Sequence, residues 1–272
     1  MRRPLESTLD REGLYALEGA NQLNTGTSTL RAASGSPGTG VLPQPLTLEL
    51  LGEHYHDGTN DLSASEDNIN ARGNEVPTYE SDAERMWEAG YRGMVYGRAV
   101  TAPEDGRVWL QYWVFYYDNS WGAPIFEWGQ HEGDWEMIQI GLNELAEPDA
   151  VTFARHATSD TWGCTWAQVE KTGTGEEAPV VYPGRGSHAS YPHAGETELV
   201  LGQTDYHDGE GIAEQPPLHM LTTEDDWMNW KGRWGASTGE FESPHTPSQQ
   251  GQKWSNPSRF QSEHLDPTHC ER

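Results

Sequence analysis

Apolar and polar positions divide the chain into stretches of different texture. "RVWLQYWVFYYD" (107–118) is aromatic and β-branched on both parities without a breaker, which predicts a central strand covered on both faces. "DWEMIQIGL" (134–142) alternates, so Asp134, Glu136, Ile138 and Ile140 share one face of a strand. "AVTFARHA", "TWAQVEK" and "APVVYPG" follow as further strands with turn residues between them, at the spacing of an antiparallel sandwich. A helix is predicted at "SDAERMWEAGYRG" (81–93), with Ser81 as N-cap, acids in the first turn and Gly90 to end it. The first 40 residues are polar and close in "AASGSPGTG", a flexible lead-in by composition. Apolar positions become frequent from "LPQPLTLELLGEHY" onward. The C-terminal stretch from "WMNWKGRWG" to "SNPSRF" is rich in Trp, Gly and Pro and predicts a long ordered loop packed by its aromatics. Together these signals predict an all-β fold: a two-layer antiparallel β-sandwich, jelly-roll-like, over 41–262, with long loops and a few short helices. An extension at 1–40 and a polar tail at 263–272 flank it.

Charge changes the picture of partners. Seventeen basic residues against 43 acidic ones leave a net charge of −26, with lysine only at Lys171, Lys231 and Lys253. Phosphate binding needs a basic face, so nucleic acid is disfavoured as a partner. An anionic membrane surface repels such a chain unless a divalent cation bridges the two. A dense acidic surface also maintains solubility, and this is the simpler account of the charge. Two cysteines, Cys164 and Cys270, give no disulfide framework, and whether they pair is left open. The N-terminus has basic residues but no apolar run of the signal-peptide kind, and no stretch of about 18 apolar residues predicts a spanning helix. The expectation is a soluble chain, cytoplasmic for want of a visible leader, with export by another route left open.

The candidate chemistry sits in "HEGDWE" (131–136). Asp134 and Glu136 leave the same face of a strand with stems about 6.5 to 7 Å apart. Carboxylates so placed repel unless one takes a proton or a cation lies between them. Gly133 lets the chain bend, which allows His131 to turn toward the same point. If 107–118 and 134–142 are neighbours, Asp118 falls near Asp134 at the same end of the sheet. Three carboxylates and one imidazole then converge, a hard, oxygen-rich set that suits magnesium, calcium or manganese better than zinc. The bland alternative is a solvated loop end with unrelated acids.

"GRVWLQYWVFYYDN", "GQHEGDWEMIQIGL", "PVVYPGRGSHASYPHAG" and "WKGRWG…SPHTPSQQGQKWSNP" resemble the vacuolar protein sorting-associated protein 62 family, over about residues 42 to 260. More distantly, "YWVFYYD" followed by "GQHEGDWE" resembles the necrosis- and ethylene-inducing peptide-like (NLP) cytolysins, whose pattern is an aromatic strand ending in Asp and then a "GHRHDWE" heptad. That resemblance implies a β-sandwich and one divalent metal held by Asp118, His131, Asp134 and Glu136. The insert "NSWGAPIFEWGQ" departs from the cytolysin pattern, as does the missing leader, and both weigh against the toxin activity more than against the ligand set.

Other residues remain candidates. His188, in "GRGSHASYPHAG", is placed as a group beside the metal, a general base or a ligand contact, or else as a loop histidine bonded to backbone. Arg185, Tyr191 and His156 join it as possible ligand contacts. Ser187 and Ser190 lack a G-x-S-x-G elbow. "EHYHDGTND" and "DYHDGEG" read as turns with solvated polar residues. Trp227, Trp230, Trp234 and Trp254 fit either sugar stacking or core closure. The function expected is metal-dependent binding of a glycan or of a glycolipid or phospholipid head group at one end of the sandwich, with a toxin-like role as one form of it. Two alternatives stand beside it: a hydrolase using metal-activated water, with His188 or Glu132 moving protons, and a structural ion in a protein-interaction domain. Whether the chain is an enzyme is left open.

Overall fold

The computed structural model describes residues 29–32, 39–41, 60–61, 93–119, 131–155, 161–173, 178–199, 204–211, 216–234, 243–263 and 267–270. The side chains of Asp118 and Glu132 lie outside that description, as do His156, nearly all of the expected helix at 81–93, and most of "EHYHDGTND".

Strands dominate. Near the N-terminus β1 (Thr29–Ala32), β2 (Thr39–Val41) and β3 (Asn60–Asp61) form a small sheet in the order β2-β1-β3. So part of the stretch expected to be a flexible lead-in pairs as strands. The main sheet contains β4 (Val95–Thr101), β5 (Val108–Asn119), β6 (His131–Leu142), β7 (Pro148–Phe153) and β8 (Trp162–Thr165). Short pairs follow: β9 (Lys171–Thr172) with β10 (Ala178–Pro179), β11 (Tyr182–Pro183) with β12 (Ser190–Tyr191), and β13 (Gly195–Glu198) with β14 (Thr204–His207). Finally β15 (Leu218–Met220) joins the main sheet at its edge, giving the order β15-β4-β5-β6-β7-β8.

The sheet is mixed, not purely antiparallel, because β15 runs parallel to β4. A long chain segment separates these two strands, and it frees the return from the hairpin geometry that forces antiparallel pairing. The strand expected at "TWAQVEK" lies earlier, at Trp162–Thr165; 166–168 is a turn in which the Gln168 side chain accepts from the Thr165 backbone and hydroxyl.

Both parities of β5 are covered, as its composition requires. On one face Trp113, Phe115, Trp135 and Met137 pack with Tyr96 and with Trp227, Met228, Trp230, Trp234 and Phe260. Among the described residues, this face is covered by the 3-10 turn Asp226–Asn229, the loop through Trp234, and the helix Pro257–Glu263. The tryptophans of the C-terminal stretch are therefore core: Trp227, Trp230 and Trp234 are almost fully buried, and Trp135 packs between Phe115, Trp227 and Trp234 with ring centroids 5.2 to 6.0 Å away. Across the same face runs a row of polar residues in register, Arg98, Gln111, Gln139 and Thr152. Gln111 donates to the Lys253 carbonyl at 2.5 Å and Gln139 to that of Pro257 at 2.9 Å, so the row ties the sheet to the two C-terminal helical segments.

The opposite face is apolar at one end and polar at the other. Ile140, Val151, Phe153 and Cys164 form its core with Val169, and Cys270 reaches in from the chain end to bond Cys164. The polar end lies two register steps further along, at Tyr116↔Asp134 and Val114↔Glu136.

Candidate functional site

Period-two alternation places Asp134 and Glu136 on the face of Ile138 and Ile140, and the register brings Tyr116 opposite Asp134 and Asn119 opposite His131. Asp118 pairs with Glu132 in the backbone, one step beyond Tyr116 and on its parity, so the sheet carries Asp118 and Asp134 to the same end. Gly133 sits at φ +61° inside β6, with its Cα packed beneath the Trp234 carbonyl and the Phe115 ring. His131 is half-buried and its Nδ1 lies 2.7 Å from the Gly133 carbonyl. A carbonyl only accepts, so Nδ1 is the donor in this bond.

Both acids are buried, Asp134 at 8% and Glu136 at 6% exposure. Asn119 Nδ2 approaches Asp134 Oδ2 at 3.5 Å. Glu136 Oε2 has no hydrogen-bond partner among the described residues. Burial pushes the Glu136 carboxyl well above the usual carboxylate range, and the charge of Asp134 adds to the push; Lys253 and His188 oppose it. At neutral pH this group needs either a proton or a cation.

His188 closes the site from a distant loop. Its Nδ1 lies 3.4 Å from Asp134 Oδ2, and its ring stacks on Tyr116 with centroids 4.1 Å apart and planes within 9°. The loop reaches this point because "GRGSHAS" is small and Gly-rich: Gly184 N–H donates to Ala189, His188 N–H donates back to Gly184, and Ser190 N–H donates to Ala154 just beyond β7. His188 pays for this with φ +58°, a left-handed backbone uncommon outside glycine.

The four metal candidates thus share one end of β5 and β6, though among the described residues no group of three or more His, Cys, Asp or Glu side chains gathers closely enough to hold an ion. Of the other candidates among the described residues, His188 meets the acid pair. Tyr191 is fully buried and gives its hydroxyl to Asp205 at 2.7 Å. Arg185 is exposed and ion-paired with Asp208 at 2.8 Å and Glu210 at 3.1 Å. The sequence reading passed over Tyr116, Asn119, Arg155 and Asp205. Tyr116 was findable, since it has the parity of Asp118. Asp205 and His207 lie in "DYHDGEG", whose first three residues end strand β14 with both of these side chains buried; only 208–211 form the bend with exposed polar residues expected of the whole stretch.

No family model matches the chain. It is similar to vacuolar protein sorting-associated protein 62 of Saccharomyces cerevisiae, 22% identical over 170 residues, which are 48% of this chain and 36% of that protein. The match therefore spans little more than a third of that relative's length. Among solved structures it is similar to NLPPya in complex with glucosamine (14% identity, TM-score 0.35, 59% of this chain and 64% of that one). It is also similar to the non-toxic HaNLP3 protein (12% identity, TM-score 0.35, 98% and 96%). Both resemblances carried by the motifs are thus met again in these comparisons.

Proposed function

We propose that the protein captures a hydroxylated ligand, a glycan or a lipid head group, through one hard divalent cation held at the head of β6. Asp118, His131, Asp134 and Glu136 are the residues that would hold it. What supports this is a single observation: two carboxylates are buried side by side on one face, and one oxygen of Glu136 has no partner among the described residues. Such a pair is costly in the charged state, and a cation removes that cost more completely than neighbouring dipoles do. Carboxylate oxygens and one imidazole nitrogen suit magnesium, calcium or manganese. The ion would keep the carboxylates ionised and supply open coordination positions for ligand hydroxyls; the chain's own part is to bury the carboxylates side by side and to place the His188 and Tyr116 rings beside them.

The test uses chelated full-length protein and its Glu136→Gln variant. Without metal, the variant should melt higher than the native protein at neutral pH. A group whose folded pKa is raised costs stability as pH climbs above its unfolded value, and the amide has no charge to bury. With manganese, magnesium or calcium the native protein should gain stability as RT ln(1 + [L]/Kd), and the variant should gain much less. No uptake of any of the three ions in calorimetry would end the proposal. Glucosamine and mannosamine, the sugars named with NLPPya, serve as ligand probes with and without metal.

A further inference from the structure

Asp205 lies on β14, fully buried, with no place in the acid pair of β6. Its Oδ2 accepts from Ser187 Oγ at 2.7 Å and from Tyr191 OH at 2.7 Å, so it grips the loop 184–191 on both sides of His188. Tyr191 in turn accepts from Arg155 Nη2 at 3.0 Å, with the Arg155 guanidinium 4.5 Å from the centre of its ring. Burying a carboxylate is costly, and here an arginine is connected to it through a hydroxyl, which helps to offset the charge. Gly184 packs against the same carboxylate: a Cβ there would stand 2.6 Å from Asp205 Oδ1. One backbone bond, from Arg185 N–H to the Tyr206 carbonyl at 2.8 Å, adds to the join between loop and strand.

These contacts matter because His188 is held where it would not rest alone. A left-handed histidine is disfavoured and relaxes unless its surroundings over-determine it. Serine on one side and alanine, serine and tyrosine on the other supply the restraint, and the Ser187 and Tyr191 hydroxyls both end on Asp205. We infer that Asp205 is a positioning residue: from β14 it locks the loop 184–191 so that His188 stays flat on Tyr116 and against Asp134. The consequence for cation capture rests on the function proposed above; the placement of His188 does not.

Two substitutions in the full-length protein test this. Ser187→Ala removes one of the two bonds and leaves Tyr191 on Asp205, so it should fold and melt within a few degrees of the native protein. Asp205→Ala removes both. The readout is the ring proton shifts of His188 at fixed pH, which the stacked Tyr116 ring displaces upfield. In Ser187→Ala these signals should move toward those of a free histidine, and manganese affinity, followed by water proton relaxation, should fall on the order of ten-fold. Should Asp205→Ala fail to fold, the Ser187→Ala spectrum decides. Unmoved His188 signals in Ser187→Ala overturn the inference, whatever happens to the melting temperature. Displaced signals in a protein whose native form takes up no manganese support the positioning and sink the metal. Displaced signals with unchanged manganese affinity overturn the link between the two.

Discussion

Gly133 and His207 show how single residues set conditions for the site. Gly133 holds φ +61° under the Trp234 carbonyl, so a Cβ meets both an unfavourable backbone and an occupied space. Gly133→Ala is expected to cost at least about 1–2 kcal/mol from the backbone alone, with the overlap against Trp234 in addition, as measured by denaturant midpoint. The buried His207 donates from Nδ1 to the His193 carbonyl at 2.8 Å, which leaves Nε2 to accept from the Thr197 hydroxyl at 3.0 Å. Burial lowers its pKa below the usual 6.5, opposed by the bond to His193 and the charge of Asp205. Above pH 6.5 the ring is neutral in the folded and unfolded chain alike. As pH falls from 6.5 toward the folded value, only the unfolded chain takes up the proton, so stability drops on the acid side. His207→Gln should flatten that part of the stability–pH curve; an unchanged acid slope would assign the loss elsewhere.

At the scale of elements, the C-terminal residues are tied to the β6–β7–β8 end of the sheet. The bond between Cys164 and Cys270 closes a separation of 106 residues, and His269 stacks on Trp162 with ring centroids 4.8 Å apart. Trp162 in turn meets Tyr191 edge-on at 5.3 Å and stands 4.3 Å from the Arg155 guanidinium. Through Trp162, the residues near the chain end are therefore linked to Tyr191 and Arg155, which anchor the His188 loop. Cys270→Ser should lower stability by about 2–4 kcal/mol, since opening a loop of this length returns configurational freedom to the unfolded chain. Added reductant should bring the native protein to the same denaturant midpoint and leave the variant unmoved. Unequal midpoints under reducing conditions would mean that the cysteine side chain itself, and not the bond, carries the effect.

For the whole molecule the dominant quantity is its charge. A net charge of −26 works against compactness, because folding brings the acids closer together. Potassium chloride shortens the screening length from about 30 Å at 0.01 M to about 3 Å at 1 M. With a chelator present, this should raise the melting temperature by about 2–4 °C or more, the equivalent of about 1 kcal/mol for a domain of this size. A melting temperature indifferent to salt would show that the acids are too dispersed to repel one another in the fold. Among the described residues no helix is long and apolar enough to cross a membrane.

The strands that carry the acid pair were legible in the sequence because alternation is a local property. The unbroken apolar run of β5 and the alternation of β6 put Asp134 and Glu136 on one face whatever the rest of the chain does. The shared end of Asp118 and Asp134 followed from antiparallel pairing of these two strands, which the register bears out. Tertiary structure decided everything that depends on segments far apart in the chain. The tryptophans after residue 226 left sugar stacking open beside the core closure more usual for such residues, until the sheet face they cover was in place. "DYHDGEG" looks solvated by composition, yet Asp205 and His207 are buried, because the hydrogen-bond partners that satisfy them come from the 184–197 segment and are invisible in the local pattern. Cys270 sits in a polar tail, and only the fold brings it to Cys164. A period of two reports which face a residue occupies; what covers that face is settled by contacts whose sequence separation no local pattern records.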